Sequence, residues 1–443
     1  MISSNAKKPV AIVGAGLAGL TAASVLRRHG VSVNLYEAGK QIAGLASSFH
    51  DDEGFTYDFG AHFITNRLAA AVGVGAQCRT VRRYGETVLL GGRSYNYPFG
   101  LMSVPRFAAS ALASRTRALS KRSEPETATD WFQQKYGKAF ADEVALPLIE
   151  AWSGAEAAEL APSVAASIPN SIAHTIKLTL AKRFTRRAVA IGYSREMPET
   201  PHVYHVYPTG GIGTLCQRMA ADLDGIVQLE SPVEAITVDE GRAVSVRVGG
   251  REREVSAVIS TAPRHILAKL LKGTDQLAHL ARFRYRPMVF VNMRFEGRPL
   301  LKDVVVWTPE KEFPFFRLTE TPLSMPWLAP EGKTIITVDI GCNVGDEIWT
   351  MDEASLGEFC LSHMTEIIPD ARRRYLGCRV LKTPIAYPVY LKEYEQERQA
   401  LEDSTGIDNL YSVGRNGEFA HIFMEDVYWR TMKKMRQLVA SLN

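Results

Sequence analysis

Residues 9–37 read PVAIVGAGLAGLTAASVLRRHGVSVNLYE. Val10 to Val13 is a short, unbroken apolar run, the pattern of a strand buried on both faces. The turn Gly14-Ala15-Gly16-Leu17-Ala18-Gly19 follows at once. Ala18, Ala22, Val25, Leu26 and His29 then recur at helical spacing, and Gly30 supplies a stop. A second β-rich run, Val31 to Tyr36, ends at Glu37. Strand, glycine turn, helix and strand within about 30 residues make a dinucleotide-binding unit.

Each glycine has a mechanical reason. Gly14 permits the tight turn, Gly16 lets a pyrophosphate approach the main chain, and Gly19 lets helix and strand pack closely. Leu17 and Ala18 open the helix, whose unpaired N–H groups and positive dipole end face the phosphates. Glu37 stands where a carboxylate accepts hydrogen bonds from the adenosine ribose, and it would repel a 2′-phosphate. A glycine-rich turn without a ligand is the alternative; strand, helix and terminal acid together argue against it.

The next segments are Glu37-Ala38-Gly39-Lys40-Gln41-Ile42-Ala43-Gly44-Leu45-Ala46-Ser47 and Tyr57-Asp58-Phe59-Gly60-Ala61-His62-Phe63-Ile64-Thr65-Asn66. They resemble the flavin-binding stretches of the amine oxidase and protoporphyrinogen oxidase superfamily. The second is most similar to UDP-galactopyranose mutases and their oxidoreductase-like relatives. Lys40 and Ala43-Gly44 replace the usual arginine and Gly-Gly. The resemblance runs from about residue 9 to 435 and is strongest in these motifs. It implies FAD, with Ala38, Lys40, Gly44, Leu45 and Ala46 wrapping the cofactor and Gly60, Ala61 and His62 near its ring. It also implies main-chain contact with the adenine at Val233 and contacts to the flavin and ribityl chain from Gly414, Arg415 and Met424; Val255 to Pro263 reads as a strand with a sharp end, with Thr261 expected at the cofactor. Glu425 stands where aspartate is usual.

The expected fold is α/β: a Rossmann-like FAD-binding domain of the glutathione-reductase type, with an inserted mixed β-sheet substrate domain and a helical region. The expected division assigns 1–67, 205–265 and 405–443 to FAD, 68–100 and 266–404 to substrate, and 101–204 to the helical region. Gly91 to Phe99 reads as a hairpin and turn. Trp131, Phe132, Tyr136 and Phe140 fall at helical spacing and read mainly as core. Residues 101–200 read as largely helical. The arginines and lysines at 115, 117, 121 and 122, and at 182, 183, 186, 187 and 195, read as solvated helix faces. Anionic substrate or peripheral contact with an anionic lipid surface are the functional alternatives.

The 443 residues are of ordinary globular composition, with a formal net charge of +4. No basic tract interleaved with aromatics calls for nucleic acid. Five cysteines without a C-x-x-C pair suit a reducing, cytoplasmic setting. No apolar stretch approaches the roughly 18 residues of a spanning helix, and oligomeric state is not legible. No metal-ligand spacing occurs among the ten histidines.

The expected chemistry is flavin chemistry, in which the protein orients the substrate and sets the electrostatics. The first expectation is an oxidoreductase that moves hydride from a small organic substrate to FAD. A non-redox mutase acting on a nucleotide sugar and a non-catalytic flavin-binding protein are the alternatives. His62 is the expected neighbour of the flavin ring by resemblance, with a structural histidine as the alternative. Arg286 resembles the arginine that mutases present to a diphosphate; a surface arginine at a strand entry is equally open. Tyr387 and Tyr390 either line the substrate cavity or pack over the sheet.

Overall fold

The computed structural model describes residues 8–60, 62–97, 99–120, 124–167, 178–179 and 186–442. The strand β1 (Val10–Val13), the helix α1 (Leu17–Arg28) and the strand β2 (Val33–Tyr36) follow in the order the pattern requires. β1 is buried throughout, pairing in parallel with β2 on one side and Ala257–Ser260 on the other. Val227–Gln228 extends the sheet beyond β2, and Leu410–Ser412 extends it beyond Ala257–Ser260, again in parallel. Strand order thus reverses at β1, and ligands bind such sheets outside the strands' carboxyl ends at that reversal.

Both faces of this sheet are covered. On one, Leu17, Leu20, Val25 and Leu26 share a core with Met432, Met435 and Leu438 of the C-terminal helix Met424–Leu442. On the other, Ala11, Val13 and Tyr36 pack with Val233, Ile236 and Val246 of a four-stranded sheet. Alternation decides that contact: Ile12 and Ala11 point to opposite cores.

A seven-stranded mixed sheet forms the second body, ordered 375–388, 285–296, 333–341, 317–319, 305–307, 86–90, 93–96. Its last two strands form a hairpin closed by Gly91 and Gly92, both at positive φ. That is the backbone a two-residue hairpin turn needs. Three cross-strand pairs place chemistry on this sheet: Arg317 opposite Asp339, Phe290 opposite Asp339, and Arg286 opposite Tyr387.

Helices Pro105–Ser120, Ala128–Tyr136 and Leu146–Ser153 make a small helical cap. Thr127 and Asp130 form a capping box at the second of them. Trp131, Phe132, Tyr136 and Phe140 pack on one another with ring centroids 4.8–6.1 Å apart, as a core does.

The expectation of helix up to residue 200 needs correction. Among the described residues, 186–204 contain no helix. Gly192, Pro198 and Pro201 interrupt it, and Arg186 adopts a left-handed φ of 51°. Arg186, Arg187 and Arg195 therefore form no helix face; Arg187 stacks on Tyr204 at 4.4 Å. Arg115 is exposed on Pro105–Ser120, which also carries Arg117. Lys121, Arg122, Lys182, Arg183, Pro98 and Ala61 lie outside the described residues. No described helix is long and apolar enough to cross a membrane.

Candidate functional site

The first half of the site is the turn after β1. Gly14 has φ 94°, and a Cβ there would overlap the Thr261 hydroxyl. That hydroxyl and the Thr261 N–H both donate to the Val13 carbonyl, at 2.8 and 3.0 Å, closing the strand end. A Cβ on Gly19 would overlap the Gly14 carbonyl. Gly16 differs: the nearest atom to a Cβ there is the Ala43 carbonyl oxygen at 4.0 Å, so its open side faces away from protein. Leu17 and Ala18 begin α1 with no side-chain cap and no acid in the first turn. Helix N–H groups left this way suit an anion.

Glu37 is anchored beside this turn. Its carboxylate accepts from the Ala15 N–H at 2.7 Å and the Gly39 N–H at 2.8 Å. Its own main chain pairs with Gln228 and Ser231, just before Val233 enters its strand. Ala38 and Lys40 are exposed next to it. The short turn Gly44-Leu45-Ala46 returns to Gly16 through an Ala43 N–H to Ala15 carbonyl bond of 2.9 Å. An uncapped helix end, a glycine open on one side and a fixed carboxylate fit the pyrophosphate and ribose of a dinucleotide.

The loop after Leu410–Ser412 joins this cradle to the second half of the site. Gly414, at φ 81°, approaches α1 so closely that a Cβ would overlap Ala18. The next residue, Arg415, turns inward. Its guanidinium donates to the Ala386 carbonyl at 3.2 Å and the Ile422 carbonyl at 3.4 Å, and lies over the Tyr387 ring at 4.9 Å. His421 packs against Tyr387 and Trp152, both at 5.2 Å. Its backbone N–H donates to the Tyr390 hydroxyl at 2.6 Å.

His62 enters from the opposite wall, next to Gly60, whose Cβ position lies 3.0 Å from Phe290 and 3.4 Å from the Arg317 guanidinium. Arg317 is paired with buried Asp339 and covers Trp307. Burial, with Arg415 and Arg317 nearby, pushes the His62 imidazole down to about 4. The same causes hold His421 well below its usual range. Both rings are neutral at pH 7, and Nδ1 of each lacks a hydrogen-bond partner. His62, Arg317, Tyr387, Arg415 and His421 lie deep in the fold yet keep accessible surface, so they line an internal space.

Two ties hold these walls together. Glu425, fully buried, accepts from Thr65 and from Arg67 at 2.6 Å, fixing the segment after His62 to the start of the C-terminal helix beside Met424. Tyr193 bonds the Phe63 main chain and stacks on Phe423 at 4.5 Å.

Among the residues expected to act on substrate, His62, Tyr387 and Tyr390 come together here. Tyr390 does so through its hydroxyl, while its ring is buried against Phe419. Arg286 lies at the margin. It shares a sheet face with Tyr387, bonds Asn343 at 3.2 Å, and is wedged between Gly154 and Gly341, where a Cβ on either glycine would collide with it. The sequence reading missed Arg317, Asp339 and His421. A lone arginine in Phe316-Arg317-Leu318 and a lone acid in Val338-Asp339-Ile340 were the available signals.

A family model described as flavin containing amine oxidoreductase matches residues 17–428. The chain belongs to this family. It is a flavoenzyme, and FAD is its cofactor. No curated relative matches the sequence. Among solved structures, reduced UDP-galactopyranose mutase superposes with a TM-score of 0.79 at 18% identity, covering 98% of this chain and 96% of the other. A protein assigned as a protoporphyrinogen oxidase from an Exiguobacterium species gives 0.75 at 16% identity over 100% of both chains. Cyclohexylamine oxidase from Brevibacterium oxydans gives 0.73 at 16%, covering 98% and 99%. At these identities the likeness to solved structures speaks for the fold, which this amine oxidoreductase family member shares along its whole length.

Proposed function

We propose that this flavoenzyme is an FAD-dependent oxidoreductase that removes a hydride from a small organic substrate. The observation that carries the reading is the Gly414-Arg415 step. One residue touches Ala18 in the dinucleotide cradle, and the next joins Tyr387 and His421 in the internal space. A single loop thus links the nucleotide end to a chamber of aromatic rings and unprotonated imidazoles.

Gly14, Gly16, Leu17, Ala18, Gly19 and Glu37 would hold the pyrophosphate and ribose; Gly60, His62, Gly414 and Arg415 would border the ring. FAD, when bound, supplies a two-electron acceptor. The chain's own residues do the rest. Trp152 and Tyr387, with rings tilted 57° to each other, form an aromatic corner that orients a substrate and excludes water. His421 and His62, neutral at pH 7, offer uncharged hydrogen-bonding imidazoles to the substrate.

The test is anaerobic mixing of the flavin-loaded protein with panels of amines, alcohols and organic acids. Loss of the oxidised flavin absorbance, with a stoichiometric oxidised product, supports the reading. Turnover that needs prior flavin reduction and yields an isomer with no net redox change would overturn it in favour of a mutase.

A further inference from the structure

Arg415 is a buried cation without a counter-charge. Its partners are two neutral carbonyls and the Tyr387 ring and hydroxyl, and no carboxylate forms an ion pair with it among the described residues. Its Nε has no hydrogen-bond partner. Burying a guanidinium this way is costly unless something anionic completes it.

The neighbours do not supply that charge. Arg317 is a like charge, and Asp339 is committed to it. Glu86 is hydrogen-bonded by Trp307 Nε1 at 2.8 Å and by Tyr84 at 2.5 Å and forms no ion pair with Arg415. His62 and His421 carry no charge at neutral pH. On the far side of Tyr387, Arg286 adds a further cation. A protonated amine entering this space meets a repulsive field, whereas an anion meets an attractive one.

Geometry narrows the class of anion. Ala386 and Ile422 each take one Nη N–H of the Arg415 fork, and each Nη keeps a second; Nε is sealed in protein. A pair of Nη N–H groups matches a carboxylate. Tyr387 lies against the guanidinium and Trp152 packs on Tyr387, in the same apolar cluster as Phe59, Phe290 and Trp307, which suits an apolar or aromatic body.

We propose that the substrate is an apolar organic carboxylate whose carboxyl group docks on Arg415 beside His421 and Tyr387. The assignment rests on the oxidoreductase reading and relocates anion recognition from Arg286 to Arg415. Benzoate and its uncharged isostere benzamide are suitable probes, titrated into oxidised, flavin-loaded protein and followed by heat and tryptophan fluorescence. Benzoate binds at least about tenfold more tightly than benzamide, as a charge-assisted hydrogen bond requires. Arg415→Gln weakens benzoate by a similar factor and changes benzamide by less than about threefold; Arg415→Lys recovers part of the preference.

Equal affinities, absence of benzoate binding, or a preference that survives in Arg415→Gln overturns the proposal. The comparison of the two probes in the unmodified protein decides the matter even if the variants lose flavin. If benzoate binds as described but only amines or alcohols bleach the flavin, the assignment of the anion to the substrate falls and the oxidoreductase reading stands; if turnover needs prior flavin reduction and gives an isomer, the oxidoreductase reading falls instead.

Discussion

The Tyr390 hydroxyl accepts the backbone N–H of His421 at 2.6 Å. The placement of an imidazole in the chamber is therefore set through its main chain, by a tyrosine whose ring belongs to the core. Tyr390→Phe keeps the ring and strands the N–H. The expected cost is about 1–3 kcal/mol of stability, read from urea unfolding. Flavin reduction should slow more than flavin affinity falls. Unchanged reduction kinetics would show that the bond does not position His421.

Gly16 and Gly19 separate ligand space from packing space. Gly16→Val should fold normally and lose bound flavin, since a side chain there meets only the region assigned to pyrophosphate. Gly19→Ala drives a methyl into the Gly14 carbonyl. It should destabilise the protein itself by about 1–3 kcal/mol. Absorbance of the purified variants and their thermal melts test both halves. A fully yellow Gly16→Val protein would remove the cofactor from this turn.

Arg264 holds the 414–421 loop from behind. It is almost wholly buried, donating to the Gly417 carbonyl at 3.2 Å and the Glu418 carbonyl at 2.9 Å, between Phe283 and Phe419. Tyr285 adds a bond to the Asn416 carbonyl at 2.6 Å. Arg264→Met leaves two carbonyls without donors while filling much of the volume. We expect a loss of about 2–4 kcal/mol and faster proteolysis between residues 414 and 421. Protease resistance equal to the parent would show that the loop needs no such support.

The flavin-free protein should weaken in acid. His62 is held down to about 4 and His421 well below its usual range, by burial and by Arg415 and Arg317. Below about pH 6.5 the unfolded chain protonates these histidines while the folded chain resists. The stability they contribute is complete above that pH and lost as pH falls toward 4. Urea midpoints measured across this range should drop less steeply in the double variant His62→Phe, His421→Phe. Parallel curves would mean that neither histidine is neutral in the fold.

The dinucleotide unit was legible because its determinants are local. β1, the Gly14–Gly19 turn, α1 and Glu37 lie within a few turns of chain, and periodicity alone orders them. The aromatics of the helical cap also read correctly as core, since their spacing matches a helix. Residues 186–200 were misread because an alanine-rich run before them suggested helix, while Gly192 and Pro198 decide the backbone.

By itself, the sequence determined an α/β fold, its opening strand–glycine turn–helix unit and FAD as the cofactor. Tertiary structure decided everything in the chamber: Asp339 opposite Arg317 across two strands, Arg415 folded against Tyr387, and His421 hung from Tyr390. The reason is range. A glycine's φ and a helix's period act over a few residues, but a charge is neutralised or left bare by partners that only the closing of distant strands and loops brings near.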